Sequence, residues 1–280
     1  MDKYLKQKGL MPSTRGVYRR VYENMDTSTP QSVVDWLKGE IAKRQPIGTL
    51  LPKRAMAKHV LLSVHGLEDE QADQMLPKLK GRAGKQRQGL TNDQYDEYTE
   101  ACSQLRDPAR TILKLLPLTG MRIAEICSLK SENLKQVGKR WVLQFRGKGD
   151  KERIVPLSLN AWRILKRYLI TNGYMYEDGS GLMSGTIFET QQGTPVKPHY
   201  VRKYTRKIAS ERPILKGLSP HVLRHTFATR VNRSGVDLKT LQALLGHSQI
   251  TTTSRYLHPT ADDLMDAIDL FDKDDDDTTK

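Results

Sequence analysis

Tyr256 stands near the end of the chain, and cations precede it at long intervals. They are Arg122 in TGMRIAE, Lys148 in RGKGDKER, His221 and Arg224 in HVLRH, and His247 in LLGHS. A tyrosine hydroxyl is protonated at neutral pH and is then a poor nucleophile. Two arginines, a lysine and histidines gathered around it suit attack on a phosphodiester, which must lose water and be relieved of charge before an oxygen can approach.

Residues so far apart need local elements to present them. In SPHVLRHTFATR, Ser219 is a good N-cap and Pro220 suits the first helical position. His221 and Arg224 lie three apart and His225 four from His221, so the three share a face, while Val222, Leu223, Phe227 and Ala228 anchor the helix. Taken alone, this is an ordinary amphipathic helix with solvated cations. Further on, Asp237 can cap a helix whose buried side is Leu238, Leu241, Leu244 and Leu245, and Gly246 ends it where glycine is favoured. His247 then sits at a corner, and Ser248 can cap a short helix that carries Tyr256, so the two side chains can converge. Arg122 follows a Thr119-Gly120 turn at the start of a helix, and Glu125 can reach back to it. A plain helical ion pair of a few tenths of a kcal/mol is the alternative. Lys148 lies at the tip of a hairpin between strands at Trp141–Phe145 and Arg153–Val155, where Gly147, Gly149 and Asp150 permit the turn. A lysine there can donate a proton if its pKa is lowered; a solvated turn lysine is the bland reading, with Arg146 and Lys151 nearby.

In this order and context the residues resemble the tyrosine recombinase, or phage integrase, family over roughly the last two thirds of the chain. The resemblance implies that Tyr256 attacks a backbone phosphate of DNA to give a 3′-phosphotyrosyl link and a 5′-hydroxyl. Arg122 and Arg224 then brace the non-bridging oxygens. Lys148 corresponds to the general acid, His221 to the histidine that assists the tyrosine, and His247 to the one that bonds the phosphate. Glu125 and His225 belong to the supporting set. The family needs neither metal nor ATP, so no cofactor is expected. The implied fold is mainly α with a small antiparallel β-sheet, an α+β arrangement: a helical core-binding domain followed by the catalytic domain.

The formal net charge of +14 is carried despite acidic residues at Asp272 and Asp274 to Asp277, and a polyanion is its natural partner. The first residues read as helices. One carries Val17, Tyr18, Val21 and Tyr22; a second runs from Gln31 to Lys43; a third begins near Pro52; a short fourth follows Gly66. Arg15, Arg19, Lys53, Arg54 and Lys58 on them are candidates for DNA contact, as are Arg82, Lys85 and Arg87 in the Gly- and cation-rich KLKGRAGKQRQG, which reads equally as a plain flexible linker. The expected division is a DNA-clamping domain at 1–80, a basic linker at 81–89, a catalytic domain at 90–271 and a disordered acidic tail at 272–280. Ile187-Phe188 is a candidate further strand. No stretch approaches the ~18 apolar residues of a membrane span, the start of the chain lacks the apolar run of a secretory signal, and Cys102 and Cys127 read as reduced thiols, so a cytoplasmic protein on the nucleoid is expected.

The partners implied are double-stranded DNA with short inverted repeats and further copies of the chain, a dimer per site and a tetramer in synapsis. Leu264, Ile268 and Phe271 at helical spacing suggest that 261–271 docks on a neighbouring protomer. The length suggests a simple Xer- or Cre-like recombinase without an arm-binding domain, acting in integration or excision of a mobile element. The rivals are a type IB topoisomerase and a non-catalytic DNA-binding regulator.

Overall fold

The computed structural model describes residues 12–79, 88–146, 152–246 and 261–277. The chain divides into two compact units, residues 1–86 and 87–280. It is mainly helical, with one three-stranded antiparallel sheet.

The first unit holds α1 (Pro12–Glu23), α2 (Pro30–Ala42), α3 (Ile47–Ser63) and α4 (Asp69–Met75). Thr29 and Ser32 cap α2 reciprocally, each side-chain oxygen accepting the other's backbone N–H at 3.1 and 3.0 Å. The core of this unit is Val33, Val34 and Leu37 of α2 against Met56, Ala57, Val60 and Leu61 of α3. Helix α3 starts at Ile47, well before the expected Pro52. Leu50 is buried, which favours the extra turn, and Pro52 removes only the N–H that would have met the Gly48 carbonyl.

In the second unit α5 (Asn92–Ser103) leads to α6 (Ala109–Thr119), which is buried along nearly its whole length and so forms the axis of the core. Gly120 ends α6 at φ +58°, and a Cβ there would lie 2.3 Å from the Phe227 ring. Glycine is therefore required twice over, for the left-handed turn and for the close approach of the Phe227 ring. The short α7 (Ile123–Cys127) follows, then β1 (Leu134–Val137), β2 (Arg140–Arg146) and β3 (Glu152–Pro156) in spatial order 1-2-3. Leu143 pairs with Val155 and Phe145 with Arg153 across β2 and β3. Strand β1 was not expected; its outer residues are exposed, and pairing with β2 holds it. Trp141 of β2 stacks on Trp162 of α8 (Leu159–Thr171) at 4.5 Å.

Ile187 and Phe188 are fully buried, yet they form no strand. Isolated bridges, Lys130 with Thr186 and Glu189 with Pro195, stand on either side of them. The chain turns back at Thr190–Thr194 before a ladder can extend. Then come α9 (Pro198–Glu211), α10 (Pro220–Arg233), α11 (Leu238–Leu245) and α12 (Ala261–Asp277).

One expectation about the end of the chain is corrected. Helix α12 continues to Asp277, through most of the stretch read as a disordered tail. No glycine or proline follows Phe271, so a packed helix meets no breaker there. Its apolar face is also covered within the same chain. Leu264, Ile268 and Phe271 are buried in the core of the unit, with the Phe271 ring edge-on to Phe227 at 5.8 Å. Arg140 pairs with Asp266 at 3.6 Å and with Asp269.

Candidate active site

The expected local elements position Arg122 and Arg224. Ser219 accepts the Val222 N–H and Pro220 opens α10, which buries Leu223, Thr226, Phe227 and Val231. The approach of Phe227 to Gly120 brings Arg224, one turn earlier, against the end of α6. There its guanidinium donates to the carbonyls of Gly120 and Leu245. Arg122 is the N-cap of α7, and its backbone N–H donates to Glu125 Oε2 at 2.7 Å. Its Nη1 donates to Glu125 Oε1 and its Nη2 to the Gly246 carbonyl, both at 2.7 Å.

Helix α11 closes the site from the other side. Asp237 caps it, accepting from Lys239 and Thr240 at 2.9 and 3.1 Å. Leu241, Leu244 and Leu245 are buried. Leu238, expected on the buried side, is 64% exposed, because the first helical residue points outward ahead of the packed turn. Gly246 ends the helix in the left-handed region at φ +63°.

A third arginine joins the pair. Arg153 of β3 donates to Glu125 Oε2, and to the Leu244 carbonyl at 2.9 Å. Its signal lay in strand alternation: it shares a face with buried Val155, so it is a cation pointing toward the core. Three guanidinium groups thus gather at the end of α11, two of them bonded to one carboxylate. Burial acts most strongly on Arg224 and, with Arg153 and Arg122 nearby, pushes its pKa down to about 10. Burial acts first on Glu125 too and alone would raise its pKa. The field of Arg153 and the hydrogen bonds from Arg122 outweigh that and hold the carboxyl below its usual range. The cluster keeps an excess of positive charge in partly desolvated surroundings, which an arriving anion would relieve.

His221 and His225 are exposed on the same helix as Arg224. Lys148, His247 and Tyr256 lie outside the described residues, as do Arg82, Lys85 and Arg87. In the first unit Arg19 is exposed and Arg15 half-buried. The cations on α3 turn to acids of their own unit: Lys53 to Glu40, Arg54 to Asp73 at 3.1 Å, and Lys58 to Asp69 and Asp73 at 2.8 and 2.6 Å. An exposed basic stripe that the sequence reading passed over lies on α9, where Arg202, Lys203, Arg206 and Lys207 stand opposite buried Val201, Thr205 and Ile208. Among the described residues, no cluster of His, Cys, Asp and Glu could hold a metal ion, and no helix is long and apolar enough to cross a membrane.

A buried central helix, a small antiparallel sheet and arginines converging from separate elements define a catalytic domain of the integrase class. The phage integrase family model matches residues 88–262, and the chain belongs to that family. It is 36% identical over 190 residues to a tyrosine recombinase XerC of Thermodesulfovibrio yellowstonii, an alignment covering 66% of this chain and 61% of that one. It is 30% identical to a tyrosine recombinase XerD of Staphylococcus saprophyticus, covering 92% and 93%. Among solved structures, the Tn1549 transposon integrase in complex with transposon right-end DNA superposes with a TM-score of 0.62 at 18% identity, covering 94% of this chain and 95% of the other.

Proposed function

We propose that the chain is a site-specific tyrosine recombinase that breaks and rejoins double-stranded DNA without metal or nucleotide cofactor. The observation that carries this reading is the convergence of Arg122 and Arg224 on adjacent carbonyls, Gly246 and Leu245, within a cluster holding more cations than its single carboxylate offsets. Such a site is preorganised for an oxyanion that gains charge in a transition state.

In this reading Tyr256 loses its proton with help from His221 and its oxygen bonds to phosphorus. The bond from phosphorus to the 5′ oxygen breaks, and Lys148 supplies the proton that oxygen takes. Arg122, Arg224 and His247 hold the non-bridging oxygens. The phosphotyrosyl link conserves the bond energy, so a 5′-hydroxyl from a second duplex reverses the step and joins it. The relatives named tyrosine recombinases and the DNA-bound integrase fold support double-stranded DNA as substrate. The working assembly is a dimer per site and a tetramer in synapsis, in the cytoplasm, with integration or excision of a mobile element as the task.

The experiment is to incubate the protein with nicked suicide duplexes from its genetic neighbourhood and a second, labelled acceptor duplex. Covalent adduct followed by joining to the acceptor is expected. Relaxation of supercoiled DNA without joining would instead assign a topoisomerase, and tight binding with no adduct a non-catalytic regulator.

A further inference from the structure

We propose that Arg153 is a positioning residue of this site: it holds Arg122 through Glu125 and fixes the end of α11, from which the chain runs on to His247. The inference rests on the recombinase reading above and adds a residue to it.

The side chain of Arg153 is only 11% exposed. One arm meets Glu125 Oε2, the same oxygen that accepts the Arg122 backbone N–H at 2.7 Å. The other meets the Leu244 carbonyl at 2.9 Å. Between them the chain of Arg153 passes beneath Gly246, where a Cβ would stand 2.6 Å from both its Cδ and its Nε. A helix ends with carbonyls that no N–H of its own can satisfy. In α11 the three consecutive carbonyls of Leu244, Leu245 and Gly246 accept from Arg153, Arg224 and Arg122 respectively. Their donors come from β3, from α10 and from the cap of α7. The negative end of the helix dipole therefore faces the whole cluster.

The three arginines are not equivalent. Arg122 is half-exposed, whereas Arg153 is buried and has both ends of its fork engaged. It is placed to act on its neighbours rather than on a phosphate. By sharing Glu125 it sets which way that carboxylate presents its other oxygen to Arg122. By bonding Leu244 it fixes the residue three before His247. By its place in β3 it ties both to the strand that follows the Lys148 segment. Arg122 likewise bonds to both Glu125 and the end of α11.

The test uses the full chain and the same nicked duplexes from its genetic neighbourhood, comparing wild type with Arg153→Gln, Arg153→Lys, Glu125→Gln and the double variant Arg153→Gln/Glu125→Gln. Covalent adduct formation by Arg153→Gln is expected to fall on the order of a hundredfold, as a small misplacement of reacting groups does. Duplex affinity and the slope of affinity against salt should stay as in wild type, because no phosphate contact is lost. Arg153→Lys should recover part of the rate. The double variant should lose no more than the worse single one, since both changes act through one pair. Should Arg153→Gln unfold at the assay temperature, Arg153→Lys carries the test, with a reduced rate at unchanged salt slope. A wild-type rate in Arg153→Gln, a salt slope reduced by about one, or losses that multiply in the double variant would each overturn the proposal and leave the recombinase reading intact. A wild-type protein that makes no adduct would overturn both.

Discussion

Arg122 and Gly246 stand 124 residues apart in sequence, and the guanidinium of the first donates to the carbonyl of the second at 2.7 Å. The bond joins the start of α7 to the end of α11, so an arginine assigned to the phosphate touches the residue just before His247. Arg224 makes the neighbouring bond, to Leu245, and adds Gly120. The proposed catalytic geometry and the chain's tertiary closure thus share the same few hydrogen bonds.

Arg224→Lys should expose this sharing. A lysine is a single point of charge and cannot span two carbonyls while facing a phosphate. Covalent adduct formation should fall by about 10²–10³-fold, the usual loss when one preorganised donor to an oxyanion is removed. DNA affinity, supported by many other cations, should change little. Single-turnover cleavage alongside a binding titration checks this, and a loss below threefold would contradict it.

Glu125 predicts a pH dependence of stability. Burial alone would raise its pKa, but Arg153 and then Arg122 bring the folded value below the reference of 4.5. A carboxyl with a depressed folded pKa contributes stability above its unfolded value and loses it as pH falls through the folded one. Below about pH 4.5 the wild-type Tm should therefore drop more steeply than that of Glu125→Gln. Parallel curves in a thermal melt series would refute the ion cluster as drawn.

Gly246→Ala and Gly138→Ala make an informative pair. Both glycines have positive φ, +63° and +60°, but a Cβ at Gly138 meets nothing within 4 Å, whereas at Gly246 it meets Arg153. The left-handed backbone should cost each variant roughly 1–2 kcal/mol. Gly246→Ala should cost measurably more in urea unfolding and slow adduct formation; equal losses would mean that Arg153 yields freely.

What was legible in the sequence was local. The caps at Ser219 and Asp237, the stop at Gly246 and the return of Glu125 onto Arg122 all act over three residues or along one helix, so spacing alone revealed them. The partners of Arg153 lie 28 and 91 residues away, and only its place on the inward face of a strand hinted at them. The pairing of Lys53 with Glu40 spans 13 residues between two helices, so cations offered to DNA by composition are engaged by acids in the fold. Periodicity marked the apolar face of α12 but not whose core would cover it, because a helix's own domain and a second copy present the same kind of surface. Strand β1 exists through its pairing with β2 and has little pattern of its own.

The central claim is that Tyr256 becomes covalently joined to DNA. The most direct measurement is to trap the adduct on nicked duplexes, digest protein and DNA, and locate the nucleotide-bearing peptide by mass spectrometry, with Tyr256→Phe run beside the wild type. The account predicts a 3′-phosphotyrosyl link at Tyr256, and a variant that binds DNA as tightly yet forms none. An adduct on another residue, or one that persists in Tyr256→Phe, would contradict it.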